Sequence, residues 1–145
     1  MSVDVTVEQV IGRPPEQVAA YAMDPANDRD WIGALTHVEV LGNGPVGPGT
    51  QVRRVARFLG RDMEYVNEIT ELRPPERLAM KSVKAPFPMT VVYEFEPAGE
   101  GTRMRIHTGG DASGFYKVAT PLLSRMVRRG VVSDLERLKR RLEGA

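Results

Sequence analysis

Apolar residues recur along this chain with two different periods. At the start Val3, Val5, Val7 and Ile11 alternate with Asp4, Thr6 and Glu8, which is the period of a strand with one buried face. Gln9 falls on the apolar side of that alternation. At the other end Phe115, Val118, Leu122, Met126, Val131, Leu135, Leu138 and Leu142 recur every three or four positions, predicting one long amphipathic helix over 115–142. Between them lie further alternating runs at 51–59, 62–72, 77–83, 89–95 and 102–108. Turn residues separate these runs: Gly60-Arg61, Pro74-Pro75, the prolines of 86–88 and the glycines of 99–101. Pro14 and Pro15 open a short helix over 16–23, since proline suits a first turn where its missing N–H is no loss. Asp24-Pro25 ends it, a second helical turn follows at 28–32, and a strand resumes at 38–41 before the Gly- and Pro-rich loop 42–49.

Connections this short force neighbouring strands to run antiparallel. The predicted class is α+β: a curved antiparallel sheet of about seven strands wrapped around a long C-terminal helix, with two short helices after the first strand. One domain over residues 1–145 accounts for the whole chain. A long helix laid across a concave sheet leaves a cavity between them, so this architecture predicts an apolar ligand.

Strand alternation also nominates the inward-facing side chains. Met89, Val91, Tyr93 and Phe95 oppose Thr90, Glu94 and Glu96; Met104, Ile106 and Thr108 oppose Arg103, Arg105 and His107; Leu78, Met80 and Ser82 oppose Arg77 and Lys81. A two-residue turn at Gly60-Arg61 pairs Leu59 with Asp62 and Phe58 with Met63, which carries Val52, Arg54, Ala56, Phe58, Met63, Tyr65, Asn67 and Ile69 inward. Gln9, Arg54, Tyr65, Asn67, Ser82, Tyr93 and Thr108 are then polar groups on an apolar face, and a ligand, ordered water or one another must satisfy them. Arg54 is the sharpest case, because a guanidinium seldom faces an apolar interior without an anion or a carbonyl to hold. The candidate ligand-binding set is Gln9, Trp31, Arg54, Phe58, Tyr65, Asn67, Met80, Met89, Tyr93, Thr108, Leu122 and Met126. Trp31, the single tryptophan, is either a lid residue at the cavity mouth or a core anchor. The methionines suit an adaptable pocket and ordinary core packing equally.

Charge and composition narrow the partners. Twenty Lys and Arg against 19 Asp and Glu leave a net charge of +1, which recommends neither nucleic acid nor a membrane surface. The basic run on the last helix, Arg125, Arg128, Arg129, Arg137, Lys139, Arg140 and Arg141, reads as a solvated face or as a patch for an anionic partner. With no cysteine there are no disulfides, thiolate metal sites or cysteine nucleophiles. Residues 1–11 lack the basic start and apolar block of a signal peptide, and no apolar run approaches the ~20 residues a bilayer needs, so a cytoplasmic location without integral membrane association is expected. Only His37 and His107 are imidazoles, and no phosphate-binding glycine motif occurs, so neither a metal nor a nucleotide cofactor is expected.

Several segments resemble the START/SRPBCC superfamily, specifically its polyketide cyclase/dehydrase-like, helix-grip members. They are Ile11-Gly12-Arg13-Pro14-Pro15-Glu16-Gln17-Val18; residues 28–31; Gly44-Pro45-Val46-Gly47-Pro48-Gly49-Thr50; Ile69-Thr70-Glu71-Leu72-Arg73-Pro74-Pro75-Glu76-Arg77-Leu78; and Asp134-Leu135-Glu136-Arg137-Leu138-Lys139. The resemblance implies a cavity for a lipid-, polyketide- or aromatic-like molecule, in a group that includes aromatase/cyclases, lipid and hormone carriers and chaperone-activating domains. These motifs mark turns and packing and carry no catalytic atoms, so no family active site transfers to this chain. Three functions follow. A carrier or sensor holds a small hydrophobic ligand without a titrating residue. A cyclase or dehydratase folds a polyketide-like chain, with Arg54 polarising a carbonyl and Tyr65 or Tyr93 moving a proton. An interaction module uses the helix arginines or the outer sheet face.

Overall fold

The structure, a computed structural model, describes residues 3–58, 60–111 and 120–144. The chain forms strand β1 (Val3–Ile11), helix α1 (Pro15–Ala22), a 3-10 turn (Pro25–Asn27) and helix α2 (Asp28–Trp31). Strands β2 (Leu35–Leu41), β3 (Gln51–Phe58), β4 (Arg61–Arg73), β5 (Arg77–Lys84), β6 (Met89–Ala98) and β7 (Gly101–Gly110) follow, and helix α3 (Thr120–Glu143) closes the chain. The seven strands make one antiparallel sheet in the order β1-β7-β6-β5-β4-β3-β2. This is the helix-grip arrangement that the pattern predicts, with β2 starting three residues earlier than the run at 38–41 suggests. Phe115 and Val118, assigned to the helix from the pattern, lie outside the described residues.

Local chemistry explains the elements. Pro15 occupies the first turn of α1, and Asp24 caps the following turn by accepting from the Ala26 N–H at 3.0 Å. On β1 the buried and exposed residues alternate as the sequence alternates. Polar residues on the outer sheet face meet partners on neighbouring strands, as in Arg77 with Glu94 (2.8 Å) and Arg105 with Glu8 (2.7 Å). His107 lies on this face too, with Nε2 2.6 Å from Asp4 Oδ1.

The β3–β4 hairpin corrects the expected register. Phe58 pairs with Arg61 and Arg57 with Asp62, two residues away from the register that a Gly60-Arg61 turn dictates. Gly60, at φ +76°, supplies the left-handed residue of the connection, while Leu59 lies outside the described residues. Because side chains alternate with period two, a shift of two keeps every face, and Val52, Arg54 and Ala56 are buried as expected. A bulge between Ile69 and Glu71 then inserts Thr70, so that Leu72 rather than Glu71 rejoins the inner row opposite Leu78.

The core lies between the concave face and α3, where Leu135 and Leu138 are fully buried against Val5, Val7 and Ile11 of β1 and their neighbours. Burying each such leucine contributes about 1.5–3 kcal/mol. The helix also serves the free edge of β1: Arg128 donates to the Thr6 carbonyl (3.0 Å) and Lys139 to that of Val10 (2.7 Å). Arg137 donates to the Trp31 carbonyl and Arg141 to the Tyr21 hydroxyl, so four of the seven basic residues in the run are engaged within the fold.

The helix face needs one correction. Leu122 is 49% exposed and Leu123 is 1% exposed. At about 100° per residue, Leu123, Val127, Val131, Leu135, Leu138 and Leu142 share one arc, and Leu122 points about 160° from its middle. Stepping by fours from Met126 to Leu122 drifts off the buried face.

Candidate functional site

A cavity of about 250 Å³ opens between the first half of α3, the α2–β2 connection and one end of the sheet. Its walls are mainly apolar, built from Val3, Ile32, Ala34, Met63, Val91, Ile106, Leu123, Val127 and Val131, together with Phe58, Phe87 and Met89. A cavity of about 150 Å³ lined by aliphatic and aromatic side chains holds benzene, so this one has room for a two-ring compound.

Seven of the residues nominated from the sequence lie on its wall: Trp31, Phe58, Tyr65, Met89, Tyr93, Thr108 and Met126. Their placement follows from alternation, since Met89, Val91 and Tyr93 point to one side of β6 and Ile106 and Thr108 to one side of β7. Trp31 is buried, and its ring meets Tyr93 edge-on at 5.8 Å between centroids, so it acts as anchor and wall at once. Five of the nine Phe, Tyr and Trp residues in the chain line this one space.

Five nominated residues stand elsewhere. Leu122 turns to solvent, for the helical reason already given. Gln9 sits in the inner row of β1 away from the cavity, with its Oε1 accepting from the Val10 N–H. Arg54 does face inward, but α2 supplies the anion it requires: Nε and Nη2 donate to Asp28 Oδ2 at 3.0 and 2.7 Å, and Nη1 lies 3.8 Å from the Met80 sulfur. Met80 is core at this point and Asn67 is buried nearby on β4; neither reaches the cavity wall. Among the described residues, Asn67 Oδ1 and Trp31 Nε1 are the buried side-chain polar atoms with no hydrogen-bond partner.

The Asp28–Arg54 pair is almost completely enclosed. Burial pushes the Asp28 carboxyl up, against the pull of the Arg54 charge and its hydrogen bonds. Burial also works against the Arg54 cation, yet the Asp28 carboxylate and the Tyr65 and Tyr93 phenols hold its pKa above the ordinary value. The guanidinium is charged and already occupied.

One ionisable wall residue escapes the sequence reading. Asp134 on α3 reaches the cavity, where its Oδ1 accepts from the Gly33 N–H (3.0 Å) and from Arg137 Nη1 (3.3 Å). Burial raises its pKa, and the Gly33 amide and Arg137 draw it back down. The signal is present: at about 100° per residue Asp134 falls inside the arc running from Leu123 to Leu142, about 20° from Leu123, in a position where a helix normally carries an apolar side chain. Burial also pushes the Tyr65 and Tyr93 phenols up, and the nearby Asp134 charge adds to both shifts. At neutral pH both tyrosines keep their protons and act as hydrogen-bond donors.

Among the described residues no group of three His, Cys, Asp or Glu side chains is placed to hold a metal ion, and no helix is long and apolar enough to cross a membrane.

Comparison with solved structures recovers this architecture. The structure of TTHA0849 from Thermus thermophilus matches at TM-score 0.82 with 24% identity over 97% of both chains. The Zhui aromatase/cyclase from Streptomyces sp. R1128 matches at TM-score 0.81 and 19% identity, over 99% of this chain and 94% of that one. Ara h 8.0201 matches at TM-score 0.75 and 13% identity over the full length of both. No curated protein matches in sequence. The sequence profile described as polyketide cyclase / dehydrase and lipid transport matches residues 2–143, essentially the whole chain, and the protein belongs to that family.

Proposed function

We propose that the protein is a carrier or sensor that encloses one small hydrophobic molecule between α3 and the sheet. The observation that carries this reading is the cavity itself, a preformed, aromatic-rich space of about 250 Å³ in a chain whose family has a hydrophobic ligand-binding fold. Burial of the ligand's apolar surface supplies the affinity, at about 25 cal/mol for each Å² removed from water. The chemistry of the walls supports holding over turnover. Arg54 is engaged by Asp28, and the raised phenols of Tyr65 and Tyr93 make poor proton acceptors at neutral pH.

One observation favours a second reading, a cyclase or dehydratase acting in the same cavity. Asp134 is a wall carboxyl whose pKa burial raises toward the range useful in general acid–base catalysis. It would then exchange a proton with a bound polyketide-like chain that the walls hold folded.

Native mass spectrometry of protein purified from its own source, followed by mild extraction, tests the binding reading. The expected result is a small aromatic or acyl compound travelling with the folded chain. Incubating that compound with the protein and following its mass then separates holding from conversion. An empty protein whose melting temperature does not move across a panel of hydrophobic compounds would overturn both readings.

A further inference from the structure

The polar groups on the cavity wall do not match a fatty-acid headgroup. Among the described residues the lining includes no Arg or Lys, because Arg54 lies outside it and is neutralised by Asp28. The ionisable acid on that wall is Asp134. Both of its hydrogen bonds among the described residues go to Oδ1, from Gly33 and Arg137, and none reaches Oδ2. A carboxylate oxygen accepts only, so this wall calls for a donor on the ligand. The Tyr65 and Tyr93 phenols close enough to feel the Asp134 charge present the opposite polarity, a donor that seeks an acceptor.

One small group satisfies both sides: a hydroxyl, which donates to a carboxylate oxygen and accepts from a phenol at the same time. A ligand carboxylate would instead place a second negative charge beside Asp134 against mainly apolar walls, where like charges are disfavoured. We infer that the cavity selects a neutral, hydroxyl-bearing aromatic compound over its carboxylate or alkylated counterparts, and that Asp134 makes the selection. This rests on the binding reading above and adds the polar chemistry of the ligand to it.

Three probes of one ring size separate the possibilities: 2-naphthol, 2-methoxynaphthalene and 2-naphthoate, each titrated into the intact protein by calorimetry at neutral pH. The expected order is naphthol tightest, methoxynaphthalene about tenfold weaker for want of the donor, and naphthoate weakest. In Asp134→Asn the amide oxygen can still accept from Gly33, and the oxygen without a protein donor is replaced by an N–H donor. The naphthol advantage should then shrink to about threefold or less, and naphthoate should gain. Equal affinity of the three probes for the unmodified protein, or a naphthol advantage that stays about tenfold in Asp134→Asn, would overturn the selection while leaving the cavity reading intact. Failure of all three probes, methoxynaphthalene included, would overturn both.

Discussion

Asp28 and Asp134 are two carboxylates turned into the same interior, and their surroundings differ in kind. Asp28 is 2% exposed, and one of its oxygens takes both charged hydrogen bonds from Arg54. Asp134 sits on the cavity wall with a backbone N–H and a half-exposed arginine on one oxygen. The first arrangement is closed, fastening α2 to β3 behind the cavity. The second is open on the side where a ligand would lie. Buried charge is therefore not by itself a mark of function in this fold, and what distinguishes the two sites is whether the protein has already supplied the partner.

The largest effect should come from breaking the closed pair. Arg54→Ala leaves Asp28 enclosed without its partner, so that it must either stay charged in the interior or take up a proton, and thermal or urea denaturation should show a loss of about 3–5 kcal/mol. Replacing both partners together, Arg54→Met with Asp28→Leu, should recover most of that loss, since well-packed apolar groups often match or exceed a buried ion pair. If the double variant is as unstable as the single one, Arg54 has a role beyond partnering Asp28.

Asp134→Asn should cost about 1 kcal/mol or less in the same assay, because the amide oxygen preserves the Gly33 hydrogen bond. Its pH dependence is more telling. Burial raises the Asp134 pKa, so the native state holds that proton more firmly than the unfolded chain does. The associated stability is fully present below the ordinary carboxylate value near ~3.9 and is lost as pH rises through the raised value. Melting curves across that window should be flatter for Asp134→Asn.

Glu143, at the far end of the same helix, should behave in the opposite way. Lys139 and the Gly12 N–H, at 2.7 and 2.6 Å, hold its carboxyl below the ordinary value. Its contribution is present above the ordinary carboxylate range and disappears as pH falls through the lowered value. Glu143→Gln should therefore remove a drop in melting temperature on the acid side.

The smallest change expected is a gain. Gly130, one turn before Asp134 on α3, has nothing within 4 Å of where a Cβ would stand. Gly130→Ala should raise stability by about 0.5–1 kcal/mol.

How far the sequence reveals this molecule depends on whether the decisive contact is periodic. Alternation on β6 and β7 places Met89, Tyr93 and Thr108 on the cavity side, and it survives the two-residue slip of the Phe58–Arg61 hairpin because parity does. The bulge at Thr70 is invisible in the sequence, since no residue type there announces an extra position. Arg54 is legible as a cation needing an anion, but naming Asp28 requires knowing that α2 folds back over β3, a contact between residues 26 positions apart. Asp134 escapes although its helical position is computable, because among so many arginines it reads as one of their counter-charges unless it is projected onto the buried arc. Leu122 is the converse error, an apolar residue taken as buried because of its type.

The most direct test of the central claim, that this cavity is the binding site, is a titration of 2-naphthol, followed by its own fluorescence, into the protein and into Val91→Trp, whose indole would fill the space. The account predicts saturable 1:1 binding to the first and its loss in the second, with the circular dichroism spectrum unchanged. Equal binding by a folded Val91→Trp would contradict it.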